Sequence, residues 1–416
     1  MKSCRLSILL PVSALTVCIL ASSVDAQRHS FRVHQENAVP VAETTGGPQY
    51  EGELFAFEPI VTLNQDEANP ESLLYYISEM TVDAEGNVYV VDNRSFRVAV
   101  FGSDGNYRHA IGRRGSGPGE FQQIDIVWFD DEVLTLWDSS NRRMSRFRCD
   151  GTFLDDRAPP HQVQVSKMMT LPDERLLTWH TSTDVREGYA WSQVTARVLT
   201  ASGDTLAGIV SDEIVTGAGE QRSPIPGIVE SVITTIPFTS NPAVLYDSER
   251  GLAVTTGMTP EVLWYDLEGN LNRIYRLPLE VSRVTPAVKR SYRDYLQQRA
   301  LEMAERTGRD PRPIQEPTYP EHVALWYGGF LDDAGYLWLD ALDLPGYVES
   351  PDGNLHFVLD PDGRWLGCTS LPGSRITIRH GKLVSMHQDP ESRENIITVY
   401  RVRSLIDGLE YPDAGH

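Results

Sequence analysis

The chain has 416 residues, with 58 Asp and Glu against 37 Lys and Arg, and therefore a net charge of −21 at pH 7. An acidic surface of this size repels nucleic acid and anionic lipid, so we expect neither as a partner. Beyond the first residues, the sequence contains no apolar run long enough to span a bilayer. We therefore expect a soluble mature protein, and a monomer.

The N-terminus has the pattern of a removable export signal, residues 1–26. Two basic residues are followed by the apolar run Leu6–Ala21, and small side chains precede an expected cleavage between Ala26 and Gln27. Cys18 lacks the small residue before it that a lipoprotein signal needs, so lipidation is not expected. The pattern predicts a secreted or periplasmic protein.

Two cysteines, Cys149 and Cys368, remain after the signal. An exported protein meets an oxidising compartment, where such a pair can form a disulfide. They fall in different repeats, however, and two free, buried cysteines are the favoured interpretation. No CxxC or CxxH spacing indicates a zinc site.

A segment of blade length recurs along the chain. Residues 77–112 return as residues 124–156, and turn residues match at a spacing of 46, as in Asp92 with Asp138, Arg97 with Arg143 and Gly105 with Gly151. Each copy consists of short β-rich runs bounded by Asp-Gly and similar turns, as in a four-stranded meander. This period predicts an all-β protein, a β-propeller.

Less regular copies begin near Val165, Ala243, Val323 and Arg375, so six four-stranded antiparallel blades are predicted within a single domain, residues 27–416. Five or seven blades are the alternatives. The sixth copy lacks an obvious fourth strand. A ring does not tolerate an open sheet edge, and the run Pro59–Leu63 is a strand without a blade. We therefore predict that this N-terminal strand completes blade six.

Two interruptions depart from the repeat. The link Ser211–Phe238 has little pattern. A second insertion, at about 280–322 between blades four and five, contains a predicted helix that Thr285 caps and that ends before Gly308. The helix either packs on the rim of the propeller or covers a binding site.

The chain resembles the NHL-repeat group of propellers, and more closely the exported bacterial six-bladed β-propeller proteins. The residues that carry this likeness are Asp83–Val90, the Asp92–Arg97 and Asp138–Arg143 turns with the strands after them, and Gly112–Phe121. The resemblance implies the fold. It implies no single activity, because such scaffolds include binding modules, lyases and lactonases.

One face of the predicted ring collects the turns between strands two and three and the connections between blades. The second strands end there with a ring of mostly polar residues: Asp92, Asp138, His180, Gly257, Asp340 and His387. We expect the first two aspartates to accept backbone N–H bonds in their own turns, with Arg97 and Arg143 pairing them.

The histidines of this ring are the candidate ligand-binding residues. His180 and His387 lack a matching Arg, and His322 precedes the fifth inner strand on the same face. Three histidines with carboxylates could form a Zn²⁺ or Ca²⁺ site, or supply a general base. Histidines exposed on loops are the favoured alternative interpretation.

The Gly112–Glu120 connection contains the strongest local positive charge, Arg113 and Arg114. It lacks the helix and the Lys-Ser/Thr pair of a phosphate-binding loop. The two arginines are candidate ligands for a carboxylate or a sulfated sugar, and an ordinary blade connection is the favoured alternative.

Two functions stay open. An exported, non-catalytic module that binds a peptide, glycan or protein is favoured. A metal-dependent hydrolase or lyase with a histidine-lined channel is the alternative. The likeness to lactonases lacks their early Glu-Gly-Pro, and the likeness to lyases would depend on His180, His322 and His387. No HExxH or Gly-x-Ser-x-Gly motif supplies another chemistry.

Overall fold

The computed structural model describes most of the chain beyond the predicted signal, namely residues 29–130, 132–158, 165–171, 173–225, 228–311, 317–342, 354–389, 394–409 and 411. The predicted signal, residues 1–26, lies outside this part. In the described residues, no helix is long and apolar enough to cross a membrane.

Three strands precede the first blade. The strands β1 (Ser30–Glu36) and β2 (Val39–Thr45) form an antiparallel hairpin that sequence reasoning did not predict. The next strand, β3 (Phe55–Thr62), is longer than the predicted run at Pro59–Leu63. A short 3-10 turn, Pro70–Ser72, then leads into blade one.

Blade one is an antiparallel sheet in chain order, made of β4 (Ile77–Val82), β5 (Val88–Asp92), β6 (Arg97–Phe101) and β7 (Tyr107–Ile111). The second strand is apolar throughout, Val-Tyr-Val-Val, because both faces of the sheet are buried. Its outer hairpin packs on β3. A Cβ on Gly105 would lie 2.6 Å from the carbonyl oxygen of Thr62, so a side chain has no room there.

The connection to blade two contains a short parallel pair, β8 (Arg113–Arg114) with β9 (Glu120–Phe121). Blade two repeats the same sheet order with β10 (Ile126–Asp130), β11 (Val133–Asp138), β12 (Arg143–Arg148) and β13 (Phe153–Arg157). Both blades therefore have the strands that the repeat predicted.

Blade three is extended beyond the repeat. Its strands are β14 (Lys167–Thr170), β15 (Leu176–Arg186), β16 (Tyr189–Leu199) and β17 (Thr205–Val210). The link after Ser211, for which no structure was predicted, forms a hairpin of β18 (Ile214–Ile225) and β19 (Ile228–Thr235). This hairpin pairs with the protruding half of β16.

Blade four has the four expected strands, β20 (Ala243–Asp247), β21 (Gly251–Thr255), β22 (Glu261–Tyr265) and β23 (Leu271–Arg276). The strand β2 adds to its outer edge in parallel, through Val41 opposite Ile274. Arg276 ties the hairpin down, with ion pairs of 2.7 Å to Glu36 of β1 and to Glu261 of β22. The outer edge of blade four is thus covered rather than open.

The predicted helix, α1 (Pro286–Thr307), lies between blades four and five in the chain. Thr285 accepts a hydrogen bond from the backbone N–H of Val288, and Gly308 ends the helix with a φ of 63°. None of its residues is buried. Tyr292 packs edge-on against Phe238 at 5.1 Å between ring centres, which holds the helix at the surface.

The last two blades close the ring. Blade five consists of β24 (Trp326–Leu331), β25 (Leu337–Ala341), β26 (Asn354–Leu359) and β27 (Trp365–Leu371). Blade six has only three strands from its own segment, β28 (Ser374–Arg379), β29 (Lys382–Gln388) and β30 (Asn395–Ser404). The strand β3 is its fourth, antiparallel to β30 from Phe55 opposite Ser404 to Thr62 opposite Thr398.

The buried apolar residues of the described chain form six clusters, and each cluster joins two neighbouring blades. Val88 and Val90 pack towards blade six, whereas Tyr89 and Val91 of the same strand pack towards blade two. Four further clusters join blades two to three, three to four, four to five and five to six. The core is therefore a ring of interfaces between sheets rather than one central mass.

A buried polar contact anchors the C-terminal segment. Asp332 accepts hydrogen bonds from the Trp338 indole at 2.8 Å and from the Tyr411 hydroxyl. Burial raises the pKa of Asp332 to about 6, although these bonds act in the opposite direction. Cys149 and Cys368, which we expected to be buried and without a disulfide, are half-buried and form no disulfide among the described residues.

Because β3 supplies the last strand of the ring, we expect its buried side chains to control stability. Phe55 is 2% exposed and packs on Trp338 and Tyr411. Replacing Phe55 with Ala should lower the free energy of unfolding by about 3–5 kcal/mol. The matched control is Ile60→Ala on the same strand, which is 47% exposed and should cost less than about 1 kcal/mol. Urea denaturation measures both, and equal losses would contradict a closing role.

The stability that Asp332 contributes should depend on pH. Its pKa is raised in the folded state, so its contribution is complete below the ordinary value of 3.8 and is lost as the pH rises through about 6. Relative to Asp332→Asn, the wild type should lose about 2 kcal/mol between pH 4 and pH 7. Urea denaturation of both proteins at each pH tests this, and a difference that stays constant with pH would contradict it.

Candidate functional site

The top face is the side of the ring where the turns between strands two and three meet the entries to the inner strands. In blade one, the side chain of Asn93 accepts a hydrogen bond from the backbone N–H of Ile124 and donates one to its carbonyl oxygen, both at 2.8 Å. The turn of one blade therefore holds the entry to the next blade. The predicted grouping of these segments on one face is confirmed.

Two residues of the predicted ring are structural. Asp92 and Asp138 are fully buried. Asp92 accepts the backbone N–H of Tyr76 at 2.9 Å, and Asp138 accepts those of Gln122 and Asn141 at 2.8 Å. Each carboxylate thus joins its own turn to the segment that enters its blade, as expected for turn aspartates, and has no capacity left for a ligand.

The predicted partners of these aspartates were wrong. Arg97 donates to the carbonyl oxygen of Leu73 at 3.0 Å, and Arg143 donates to the carbonyl oxygens of Ser116, Gly117 and Glu120. The guanidinium groups donate hydrogen bonds to carbonyl oxygens of the connecting segments, whereas the aspartates accept hydrogen bonds from backbone N–H groups of those segments.

Two further ring positions have structural partners. A Cβ on Gly257 would lie 2.2 Å from the carbonyl oxygen of Trp326, and its φ of 66° also favours glycine. Asp340 forms an ion pair of 2.9 Å with His356, which stands opposite it on β26 and is buried. The side chain of Asp340 is 41% exposed, so it keeps one side open to the top face.

The three candidate histidines lie in different surroundings. His180 is half-buried in β15, and burial, together with Arg197, lowers its pKa. His387 is exposed in β29, and His322 forms an isolated bridge with Arg283 at the base of the helical insertion. In the described part of the chain, no three His, Cys, Asp or Glu side chains are placed to hold a metal ion. The donor set thus does not fit the Zn²⁺ or Ca²⁺ site that we considered.

The two arginines of the Gly112–Glu120 connection are engaged locally. Arg113 is paired with Glu120 at 2.9 Å, and Arg114 lies over the Phe96 ring at 5.0 Å. The backbone N–H of Gly117 and Arg113 together lower the pKa of Glu120. These contacts are those of an ordered blade connection, although both arginines remain exposed to solvent.

The inner strands are irregular where they enter the channel. In blades one, five and six, the pairing register shifts at the start of the inner strand, after Ile77, Trp326 and Ser374. Such bulges redirect side chains, and they occur often beside functional sites. These three blades are neighbours across the closing seam, so one sector of the channel entrance is built from bulged strands.

Charged side chains from four blades meet at this entrance, which we call the channel mouth: Glu79 of blade one, Asp125 of blade two, Lys167 of blade three and Arg375 of blade six. The ammonium of Lys167 lies 4.0 Å from the carboxylate of Glu79. Arg375 donates to the carbonyl oxygen of Ser78, directly before Glu79. All three other charges act on Glu79 electrostatically. The mouth is therefore a mixed-charge cluster.

Glu79 and Arg375 have unused hydrogen-bonding capacity. In the described chain, the Glu79 carboxylate receives no hydrogen bond, and Arg375 uses a single N–H. Glu79 is 41% exposed, yet burial raises its pKa, with Lys167 and Arg375 opposing the change. A side chain that reaches solvent but is surrounded by protein atoms is partly exposed and also partly desolvated, as expected at the opening of a narrow channel. Asp125, in contrast, already accepts from Ser139 and Gln123.

Exposed aromatic side chains lie near the starts of two of the inner strands, in blades one and five. Tyr75 and Tyr76 precede the inner strand of blade one and are 53% and 57% exposed. Tyr327, on the bulged start of β24, is 43% exposed and bonds through its hydroxyl to Asn241. Exposed tyrosines are enriched where proteins contact ligands, because each ring offers a rigid apolar surface with a polar end.

Sequence reasoning missed the channel mouth, although the repeat contained a signal. Glu79, Asp125, Lys167 and Tyr327 each stand thirteen residues before the ring residue of their blade, Asp92, Asp138, His180 and Asp340. Aligning the blades at this earlier position would have shown charged or aromatic residues at the start of four inner strands. The ring at the end of the second strand was the more conspicuous pattern, and most of it is structural.

The six sheets define the class of the protein, a six-bladed β-propeller. Residues 66–239 match the model of a protein family described as 6-bladed beta-propeller. No curated protein matches the chain.

Several solved structures are similar to this chain at low identity. A putative exported protein from Bacteroides fragilis is 12% identical, with 84% of this chain and 94% of that one covered and a TM-score of 0.46. A member of the DUF4221 family from Bacteroides vulgatus is 11% identical, with 85% and 100% covered and a TM-score of 0.40. Virginiamycin B lyase from Staphylococcus aureus is 11% identical, with 83% and 99% covered and a TM-score of 0.37.

The ring aspartates Asp92 and Asp340 should differ in how much they contribute to stability. Removing the fully buried carboxylate of Asp92 leaves the N–H groups of Tyr76 and Ser95's hydroxyl without an acceptor, so Asp92→Ala should cost about 2–4 kcal/mol of stability. Asp340→Ala, at the same position of blade five but half-exposed, should cost about 1 kcal/mol. Thermal and urea unfolding compare the two, and a larger loss for Asp340→Ala would contradict this assignment.

Proposed function

We propose that this protein is an exported, non-catalytic binding module that holds its ligand on the top face, at the channel mouth. The observation that supports the proposal is the convergence of charged groups from four blades at Glu79, where hydrogen-bonding capacity is left unused. Folding partly removes these charged groups from water, which costs desolvation free energy. A ligand that completes their hydrogen bonds would offset that cost.

The surroundings of the mouth fit a peptide, a glycan or a protein segment. Tyr75, Tyr76 and Tyr327 supply exposed aromatic surface beside the charges. Tyrosine contributes large contact area with little loss of conformational entropy, and it stacks on sugar rings as well as on peptide groups. Ligand sites commonly combine aromatic surface with a small number of precisely placed polar or charged groups.

The proposal predicts that one aromatic substitution at the mouth removes binding. The mature protein is applied to an array printed with short peptides and oligosaccharides, and the ligands it retains are measured by titration. Tyr327→Ala should weaken their binding at least about tenfold, because the ring is exposed contact surface at the channel entrance.

The matched control is Leu206→Ala. Leu206 is a 51% exposed apolar residue on β17, the outer strand of blade three, so its loss should leave affinity unchanged. Circular dichroism verifies that both variants are folded. The proposal fails if no ligand is retained, or if the two substitutions weaken binding equally.

A further inference from the structure

The unused groups at the channel mouth have a defined chemistry. Lys167 and Arg375 offer N–H donors with positive charge, and Glu79 offers acceptor oxygens between them. We propose that the channel mouth takes the C-terminal carboxylate of a peptide, which Lys167 and Arg375 hold, while Glu79 accepts the N–H of the terminal residue. This inference rests on the proposed function and names its ligand class.

Arg375 is suited to hold a carboxylate. One of its N–H groups is fixed on the carbonyl oxygen of Ser78 at 3.0 Å, which orients the planar guanidinium on the bulged start of β28. Its remaining donors are free among the described residues. A guanidinium held in this way binds a carboxylate through two parallel hydrogen bonds, and a nearby ammonium adds a point charge.

Glu79 adds a second requirement that the ligand has to meet. A carboxylate without a donor needs a ligand that carries an N–H or O–H beside its negative charge. The last residue of a peptide has this arrangement, because its backbone N–H and its carboxylate are attached to the same Cα. Capture of a chain terminus by converging polar groups is a known mode of peptide recognition.

The overall charge favours a ligand with a single negative group. A net charge of −21 repels polyanions at long range, which disfavours polyuronates and sulfated glycans. The cluster itself is balanced, with two cations and two carboxylates. A peptide that carries only its terminal carboxylate meets this local balance without strong repulsion from the rest of the surface.

The geometry also implies a dependence on pH. The ligand carboxylate would lie beside Glu79, whose surroundings otherwise comprise Lys167, Arg375 and Asp125. The ligand carboxylate and the Glu79 carboxylate repel each other when both are ionised, so the ligand binds most tightly when the two groups share a proton. Burial already raises the pKa of Glu79. Affinity should therefore increase as the pH falls towards the raised pKa of Glu79, because Glu79 becomes protonated.

The experiment uses a pool of N-acetylated octapeptides of mixed sequence without Asp and Glu. The pool is prepared once with a free C-terminal carboxylate and once as the C-terminal amide, and a third arm uses digalacturonate. Immobilised mature protein is incubated with each, and retention is quantified by mass spectrometry. We expect about tenfold greater retention of the free acid than of the amide.

Four variants locate the effect. Arg375→Gln and Lys167→Met should each abolish the preference for the free acid, and circular dichroism verifies their folding. Arg148→Gln removes an exposed cation at the end of β12, on the opposite face, and should leave the preference intact. Glu79→Gln keeps an acceptor but removes the charge, so it should bind roughly three- to tenfold more tightly at pH 8 and lose the pH dependence.

The outcomes separate this inference from the proposed function. Equal retention of acid and amide, or a preference that survives Arg375→Gln, overturns the peptide terminus as the ligand. Retention of digalacturonate alone, lost in Lys167→Met, would also overturn it, while the channel mouth would remain a binding site. If no arm is retained by the folded wild type, both proposals fall.

Discussion

The burial of both faces of every sheet is the constraint on which this structure depends. Alternate side chains of one strand pack on two different neighbours, as Val88 does towards blade six and Tyr89 towards blade two. An unclosed array would leave one such face exposed to water. The strand β3 removes that exposure, because it completes blade six and places Phe55 in the interface with blade five. Six clusters result, and each contributes to one interface.

This arrangement also decides where function can reside. Apolar residues occupy the sheet faces. Polar side chains at the turns accept hydrogen bonds from backbone N–H groups, as Asp92 and Asp138 do. The starts of the inner strands are less constrained, since bulges in blades one, five and six already interrupt the pairing there. Glu79, Lys167 and Arg375 lie at these starts.

Much of the architecture could be predicted because its signals are local. The turn spacing of blades one and two, the capping of α1 by Thr285 and the unpaired strand near Ile60 all follow from residues close together in sequence. The hairpin of β18 and β19 could not be predicted, since it pairs with the protruding part of β16 rather than with a repeat. The addition of β2 to blade four likewise depends on a partner more than two hundred residues away.

The sequence by itself determined the repeat, the number of blades and the need for a closing strand, because turn chemistry and apolar runs act over a few residues. Only the tertiary structure decided which polar residues are free. Asp92 and His180 look equivalent along the chain, yet one is saturated with backbone hydrogen bonds and the other is half-buried beside Arg197. The channel mouth arises only when blades one, two, three and six meet, since electrostatic contact depends on distance in space and not on separation in sequence.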